Sequence, residues 1–362
     1  MSGPGILQPA AGSSPASAPE LLFEDPHIRI DRYAAGSSTV VLTFDPLQYL
    51  WPQPPFGLDF LRAQCVDVIA VQRKDENFYQ ALSRERFHHA VAPRLAPYTR
   101  VVAYGSSLGA YAALYFGRDL DCEVISASPR VSVHPVFGSR HWQDQMGFTH
   151  ERFGTACTPR CRATILYDPR EPTDRRYIEG EVLPQFSSAR LLRVPFAGHP
   201  STQFLGDIGF IAPFVRAVVA GSEPPDLDRR RRRRDSATYY QVLSELCASR
   251  GRLAAANTLI ERSLALRDHN MLAQRTRGRV KTLLGDWPAA VSSLELALRI
   301  APQDALTASM LAQARQGLAS ASLRRAAAPP QGVEAAPEAA PDTVPQKESL
   351  ARRALRWLDG GR

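Results

Sequence analysis

Five cysteines in 362 residues, odd in number and widely scattered, are too few to form a disulfide framework. Three of Cys65, Cys122, Cys157, Cys161 and Cys247 lie in apolar surroundings, where a reduced cysteine packs as a small hydrophobe. The expectation is a reducing compartment, the cytoplasm. Long apolar runs are missing as well, and no stretch approaches the roughly 20 residues of a membrane span. The opening MSGPGILQPAAGSSPASAPE has neither a basic start nor a continuous apolar core, so residues 1–25 read as a disordered lead rather than a signal peptide. Metal-ligand pairs are lacking too. Cys157 and Cys161 stand at half-site spacing, but no second Cys or His pair accompanies them, so neither a metal nor a cofactor is expected. The formal charge of +8 is concentrated in one run, Arg229 to Arg234. No aromatic residue interleaves that run and no recognition fold follows it, so it reads as a solvated linker rather than a nucleic-acid surface.

From about residue 26 to residue 221, short β-branched runs alternate with amphipathic stretches. The runs are HIRIDRY, STVVLTFD, VDVIAVQ, RVVAYG, CEVISAS, RATILYD and ARLLRVPF, and segments such as Phe78 to Leu95 and Leu108 to Phe116 fit a helical period. That order predicts an α/β domain whose mostly parallel sheet is covered by helices on both faces, with chemistry at the carboxyl edge of the strands.

At one such edge stands VVAYGSSLGAYAALYFG. The chain must turn from a buried strand into an apolar helix within about two residues. Gly105 and Gly109 suit the crowding of strand against helix, and Ser107 falls on the sharp turn. Its hydroxyl is then exposed above the sheet at a helix N-terminus, with a backbone N–H aimed at the same space. Ser106, one residue earlier, is expected to be dispensable. Two later strand ends supply DPREPTD, with Asp168, Glu171 and Asp174, and AGHPST, with His199. A serine hydroxyl needs a base, and the base needs an acid to orient it.

With GSSLG, an acidic loop and a Gly-His in that order, residues 26–221 resemble a compact α/β-hydrolase. The resemblance implies a serine hydrolase of esterase or acyl-hydrolase type. Ser107 would be the nucleophile, His199 the general base and Asp174 the first choice of acid, with Asp168 and Glu171 as alternatives. The oxyanion hole would use the N–H of Leu108 and that of Phe44 or Asp45, although FDPLQYLW stands where lipases carry an HGGG-type loop. A lid is expected at about 129–161, where Arg130, His134 and Trp142 are candidates for a pocket that takes a small-molecule or glycan-linked acyl substrate. The histidines His88, His89, His134, His141 and His150 fall in a helix or in the lid, away from the expected base. The alternative function is a non-catalytic interaction scaffold with a degenerate hydrolase domain.

A Pro/Arg-rich linker at 222–235 leads to a second domain at 236–321. GRLAAANTLIERSLALRDHN begins at Gly251, and GDWPAAVSSLELALRIAPQD at Gly285, 34 residues on (285 − 251). The recurring pairs are Gly251/Gly285, Ala255/Ala289, Glu261/Glu295, Leu264/Leu298 and Leu266/Ile300. They resemble tetratricopeptide repeats, which implies stacked antiparallel helix pairs that take a protein partner or self-associate. An Ala/Pro-rich tether at 322–347 follows. Residues 348–362, SLARRALRWLDGGR with its flank, form a short basic amphipathic helix suited to a weak contact with an anionic membrane surface.

Overall fold

The computed structural model describes residues 18–47, 49–153, 160–228 and 232–327. Two compact units divide them. The first holds the described residues up to Pro195 together with His199–Thr202 and Gly209–Leu227; the second holds Phe196–Gly198, Gln203–Ile208 and the described residues from Asp228 on.

The first unit is built on eight strands in the order β1-β2-β4-β3-β5-β6-β7-β8. They are β1 (Glu20–Glu24), β2 (Ile28–Tyr33), β3 (Thr39–Phe44), β4 (Asp67–Arg73), β5 (Arg100–Ser106), β6 (Glu123–Ala127), β7 (Arg162–Tyr167) and β8 (Arg190–Arg193). β2 runs antiparallel to β1 and to β4, and every other pairing is parallel. All seven strand-like runs form strands. The eighth, β1, lies within the lead expected to be disordered, where Leu21 pairs with Asp31 and Glu20 with Arg32 across the ladder.

Between β3 and β8 this unit carries five helices: α1 (Leu58–Arg62), α2 (Arg84–Leu95), α3 (Leu108–Gly117), α4 (Arg140–Gln143) and α5 (Pro172–Tyr177), the last extended by a wide turn over Ile178–Val182. Then come α6 (Ser201–Asp207), whose residues divide between the two units, and α7 (Ile211–Ala220). Central strands such as β3 and β4 are buried on both faces, which explains their unbroken apolar composition. On one face Val40, Leu42 and Phe44 join the core under α2 and α3, and the Phe44 ring stacks on Phe116 with centroids 5.9 Å apart. On the other face Tyr104 meets Phe56 at 5.1 Å, just ahead of α1. Every residue of α3 is buried. This is why LGAYAALYFG carries no charge: a helix hydrophobic all round belongs in a core.

His150 is part of this core. Its Nδ1 accepts from the Tyr111 hydroxyl at 2.6 Å, its Nε2 donates to the Leu82 carbonyl at 3.0 Å, and its ring stacks on Tyr115 at 4.1 Å. Both nitrogens are satisfied in the neutral form, and burial lowers the imidazole pKa from 6.5 to about 4. The unfolded chain therefore takes up this proton as pH falls through 6.5, and the native state does so only near 4. The stability held by His150 is complete above pH 6.5 and is lost across that window. Wild-type protein should lose about 2 kcal/mol more than a His150→Gln variant between pH 7 and pH 5. Urea denaturation at the two pH values measures this, and equal losses in both proteins would contradict it.

The second unit is helical: α8 (Ala237–Ser249), α9 (Leu253–Leu266), α10 (Met271–Leu283), α11 (Trp287–Ile300) and α12 (Ala305–Ala327). Gly251 and Gly285 both sit at left-handed φ, +70° and +76°, where the chain turns from one helix to the next. The completely buried positions recur at the same interval, as Ala256/Ala290, Ile260/Leu294 and Ser263/Ala297. Gly278 on α10 is required by close packing, since a Cβ there would lie 2.4 Å from Leu294 Cγ. The sequence reading ended the first domain at 221 without a break, yet Phe196–Gly198 and Gln203–Ile208 belong to the helical unit. The Phe196 ring meets Tyr239 edge-on at 6.2 Å, and the Asp207 carboxylate accepts from Ser236 Oγ and the Thr238 N–H. Of the expected linker, Arg229–Arg231 lie outside the described residues, and Arg233–Asp235 form one tight turn. α12 runs six residues past the expected end of the repeats. The remainder of the tether and the basic helix at 348–362 lie outside the described residues, as does Cys157.

Candidate active site

Ser107 joins β5 to α3 with φ 54° and ψ −117°, a backbone conformation costly for any residue with a side chain. Its surroundings hold it there. The Ser107 N–H donates to Ala127 O at 2.9 Å, and its carbonyl accepts from the N–H groups of Ala110, Tyr111 and Arg130 at 3.1, 3.2 and 3.2 Å. The flanking glycines are compelled by contact. A Cβ on Gly105 would lie 2.1 Å from the Gly109 carbonyl oxygen, and one on Gly109 would lie 2.1 Å from that of Phe44. The end of β3 therefore abuts the start of α3.

Three loops converge on the serine. Ser107 Oγ is 2.8 Å from His199 Nε2, and His199 Nδ1 is 2.8 Å from Asp174 Oδ2. Asp174 has no exposed surface, whereas His199 is partly exposed. The loop after β8 is pinned behind the histidine by hydroxyls. Ser128 Oγ donates to Ser201 Oγ at 2.9 Å and accepts the Ser201 N–H at 3.1 Å, and Ser106 Oγ is 3.0 Å from Thr202 Oγ1. Ser106, expected to be dispensable, is thus buried and bonded to the histidine loop. Ser128 escaped the sequence reading. Like Ser107 it takes a positive φ, 53°, directly after a strand, and a serine before Pro129 at the end of CEVISAS was its one visible signal.

The three acids separate cleanly. Glu171 caps α5 by accepting the Thr173 N–H at 3.2 Å. Asp168 is buried and accepts the Arg170 N–H at 2.8 Å, which holds the loop. Asp174, three residues beyond the cap, is the carboxylate that reaches the histidine.

Two pocket candidates have other partners. The Arg130 guanidinium bonds Asp174 Oδ1 through Nε at 2.8 Å and Glu171 Oε1 through Nη2 at 2.9 Å. Its charge is spent on the acid loop, so it is not a free ligand for substrate. His134 is 1 % exposed, and its Nδ1 accepts the N–H groups of Val136 and Phe137 at 3.2 and 3.1 Å. It holds the 134–137 turn together rather than lining a pocket, and burial holds its pKa below the usual imidazole value. Trp142 packs its ring on Phe78 at 5.1 Å.

Leu108 is the first residue of α3, and its N–H has no partner within the helix. Of the two donors expected from β3, Phe44 is paired within the sheet, to Val71 on one side and Gly105 on the other, and Asp45 is the first residue beyond it. Asp45 also anchors the loop that follows. Its carboxyl accepts from the Phe56 N–H at 2.8 Å and from Gln72 Nε2 at 3.1 Å, and burial raises its pKa to about 6.

No family model and no curated protein matches the chain. Solved structures similar in fold include an esterase of Pyrococcus furiosus, with 13 % identity, 56 % of this chain and 89 % of that one covered, and a TM-score of 0.38. A capsule O-acetyltransferase of Neisseria meningitidis serogroup A has 14 % identity, 49 % and 87 % coverage, and a TM-score of 0.36. A dienelactone hydrolase from Anabaena variabilis has 12 % identity, 56 % and 98 % coverage, and a TM-score of 0.36.

Proposed function

We propose that the first unit is a serine hydrolase acting on carboxylic esters or related acyl compounds, with Ser107 as nucleophile, His199 as general base and Asp174 as the acid that orients the histidine. The observation that carries this reading is the unbroken relay from Ser107 Oγ through His199 to Asp174, with both contacts at 2.8 Å. His199 Nε2 takes the serine proton as Oγ attacks the acyl carbon, and Asp174 favours the imidazolium that forms. The developing oxyanion is met by the N–H of Leu108 at the positive end of α3, with Asp45 as the second backbone donor. His199 then protonates the leaving group and later activates water for deacylation. A closed relay on a strained elbow favours this over the scaffold reading, which has no use for a serine held at that cost.

The test is release of nitrophenol from short-chain p-nitrophenyl esters. Turnover above the level of a Ser107→Ala protein is expected, and a panel hydrolysed no faster than by that variant would remove the esterase reading. For the helical unit, the 34-residue recurrence of buried Ala, aliphatic and small positions supports tetratricopeptide-like repeats that bind a protein segment. Chemical-shift changes confined to α8–α12 on adding a partner peptide would fit this, and a titration that moves only the first unit would not.

A further inference from the structure

Residues 127–130, the last residue of β6 and the three beyond it, bond to all three segments of the site. Ala127 accepts the Ser107 N–H, Ser128 grips Ser201 in the histidine loop, and the Arg130 N–H donates to the Ser107 carbonyl. The Arg130 side chain completes the set by reaching the acid loop, where it contacts both Asp174 and Glu171. A buried carboxylate needs more than the one hydrogen bond that an imidazole supplies. Arg130 provides the rest, at Oδ1, which fixes Oδ2 toward His199.

Building on the hydrolase reading, we propose that Arg130 is a positioning residue whose guanidinium, shared between Asp174 and Glu171, aims the acid at His199 and sets how strongly that acid holds the imidazolium. A full positive charge beside Asp174 opposes part of the attraction between the carboxylate and a protonated His199. Glu171 counters Arg130 from its far side, so the two should act with opposite sign. The charged groups facing the pair are Arg130, Glu171, Asp174 and His199. The buried Asp168 holds the loop ahead of α5, and Arg170 on that loop and Arg175 and Arg176 on α5 are exposed. Oδ1 of Asp174 meets the guanidinium at 2.6 Å at its closest.

Each variant is read in two ways: by the pH profile of kcat/KM, and by the His199 imidazole resonances, which titrate whether or not an ester is turned over. His199→Gln assigns those resonances. In Arg130→Gln the acid limb and the His199 titration should both move to higher pH by about half a unit or more, with kcat down about 10- to 100-fold. Arg130→Lys, which keeps the charge without the fork, should leave the limb near its wild-type position and recover part of kcat. Glu171→Gln retains the helix cap and should move the titration to lower pH. A folded Arg130→Gln protein whose His199 titration is unmoved would overturn the proposal, even with reduced kcat, because a purely structural role predicts that outcome. Should Arg130→Gln fail to fold, Glu171→Gln decides: a downward shift supports the proposal and an unmoved titration overturns it. Failure of the hydrolase reading would appear separately, as absence of turnover in the wild type with the titrations still measurable.

Discussion

Replacing Ser107 by alanine should leave the melting temperature within a few degrees of wild type and reduce ester turnover by a factor on the order of 10⁵ to 10⁶. The side chain is small and partly exposed, and among the described residues it bonds only His199 Nε2, so little packing is lost with it. The strained backbone stays, because it is held by the bonds to Ala127 and Arg130 rather than by the hydroxyl. What disappears is the atom proposed to attack. Residual activity should come from the Leu108 and Asp45 donors and remain far below the wild-type rate. Steady-state kinetics and a thermal melt on the same preparation check both halves of this expectation. A variant that kept a tenth of the wild-type rate would remove Ser107 from the chemistry.

Asp174→Asn should cost about 10⁴ in kcat, and the structure gives the reason. Arg130 is bonded to Oδ1, and a guanidinium can only donate. The carbonyl oxygen of the new asparagine must therefore face Arg130, which turns its NH₂ toward His199 Nδ1. The imidazole then accepts at Nδ1 and carries its proton on Nε2, facing Ser107 with a donor where an acceptor is needed. Asp168→Asn and Glu171→Gln should cost much less, since neither carboxylate touches the histidine. Near-normal kcat in Asp174→Asn beside a dead Asp168→Asn or Glu171→Gln protein would transfer the acid's role to that other residue.

The parts of the molecule legible in the sequence were those with local causes. GSSLG predicts its own geometry, because the crowding of Gly105 against Gly109 and of Gly109 against Phe44 arises from strand and helix only residues apart, or from the neighbouring strand. Buried central strands announce themselves by unbroken β-branched runs. β1 did not, because ELLFE is an exposed edge with acids at both ends and gains its structure only by pairing with β2. The role of Arg130 was equally hidden. Its partners lie 41 and 44 residues away in the chain, and nothing beside it distinguishes an ion-paired arginine from one awaiting substrate. In the helical unit the period of 34 was visible, but the buried face was not fully placed. Ala255 and Ala289 recur in phase yet remain partly exposed, and the alanines that follow them, Ala256 and Ala290, are the completely buried ones of each pair. Periodicity gives the repeat length, whereas packing against neighbouring helices selects the face. The assignment of Phe196–Gly198 to the helical unit also depended on distant contacts, such as that of Gly198 with Val242, which no local pattern encodes.

The central claim is that the relay makes Ser107 a nucleophile, and covalent labelling by a fluorophosphonate tests it without knowledge of the substrate. The reagent should add once per chain, and peptide mass mapping should place the adduct on Ser107. Labelling should vanish in Ser107→Ala and slow in parallel with turnover in Asp174→Asn. A protein that stays unlabelled at reagent concentrations that saturate other serine hydrolases, or that carries its adduct on another serine, would contradict the account.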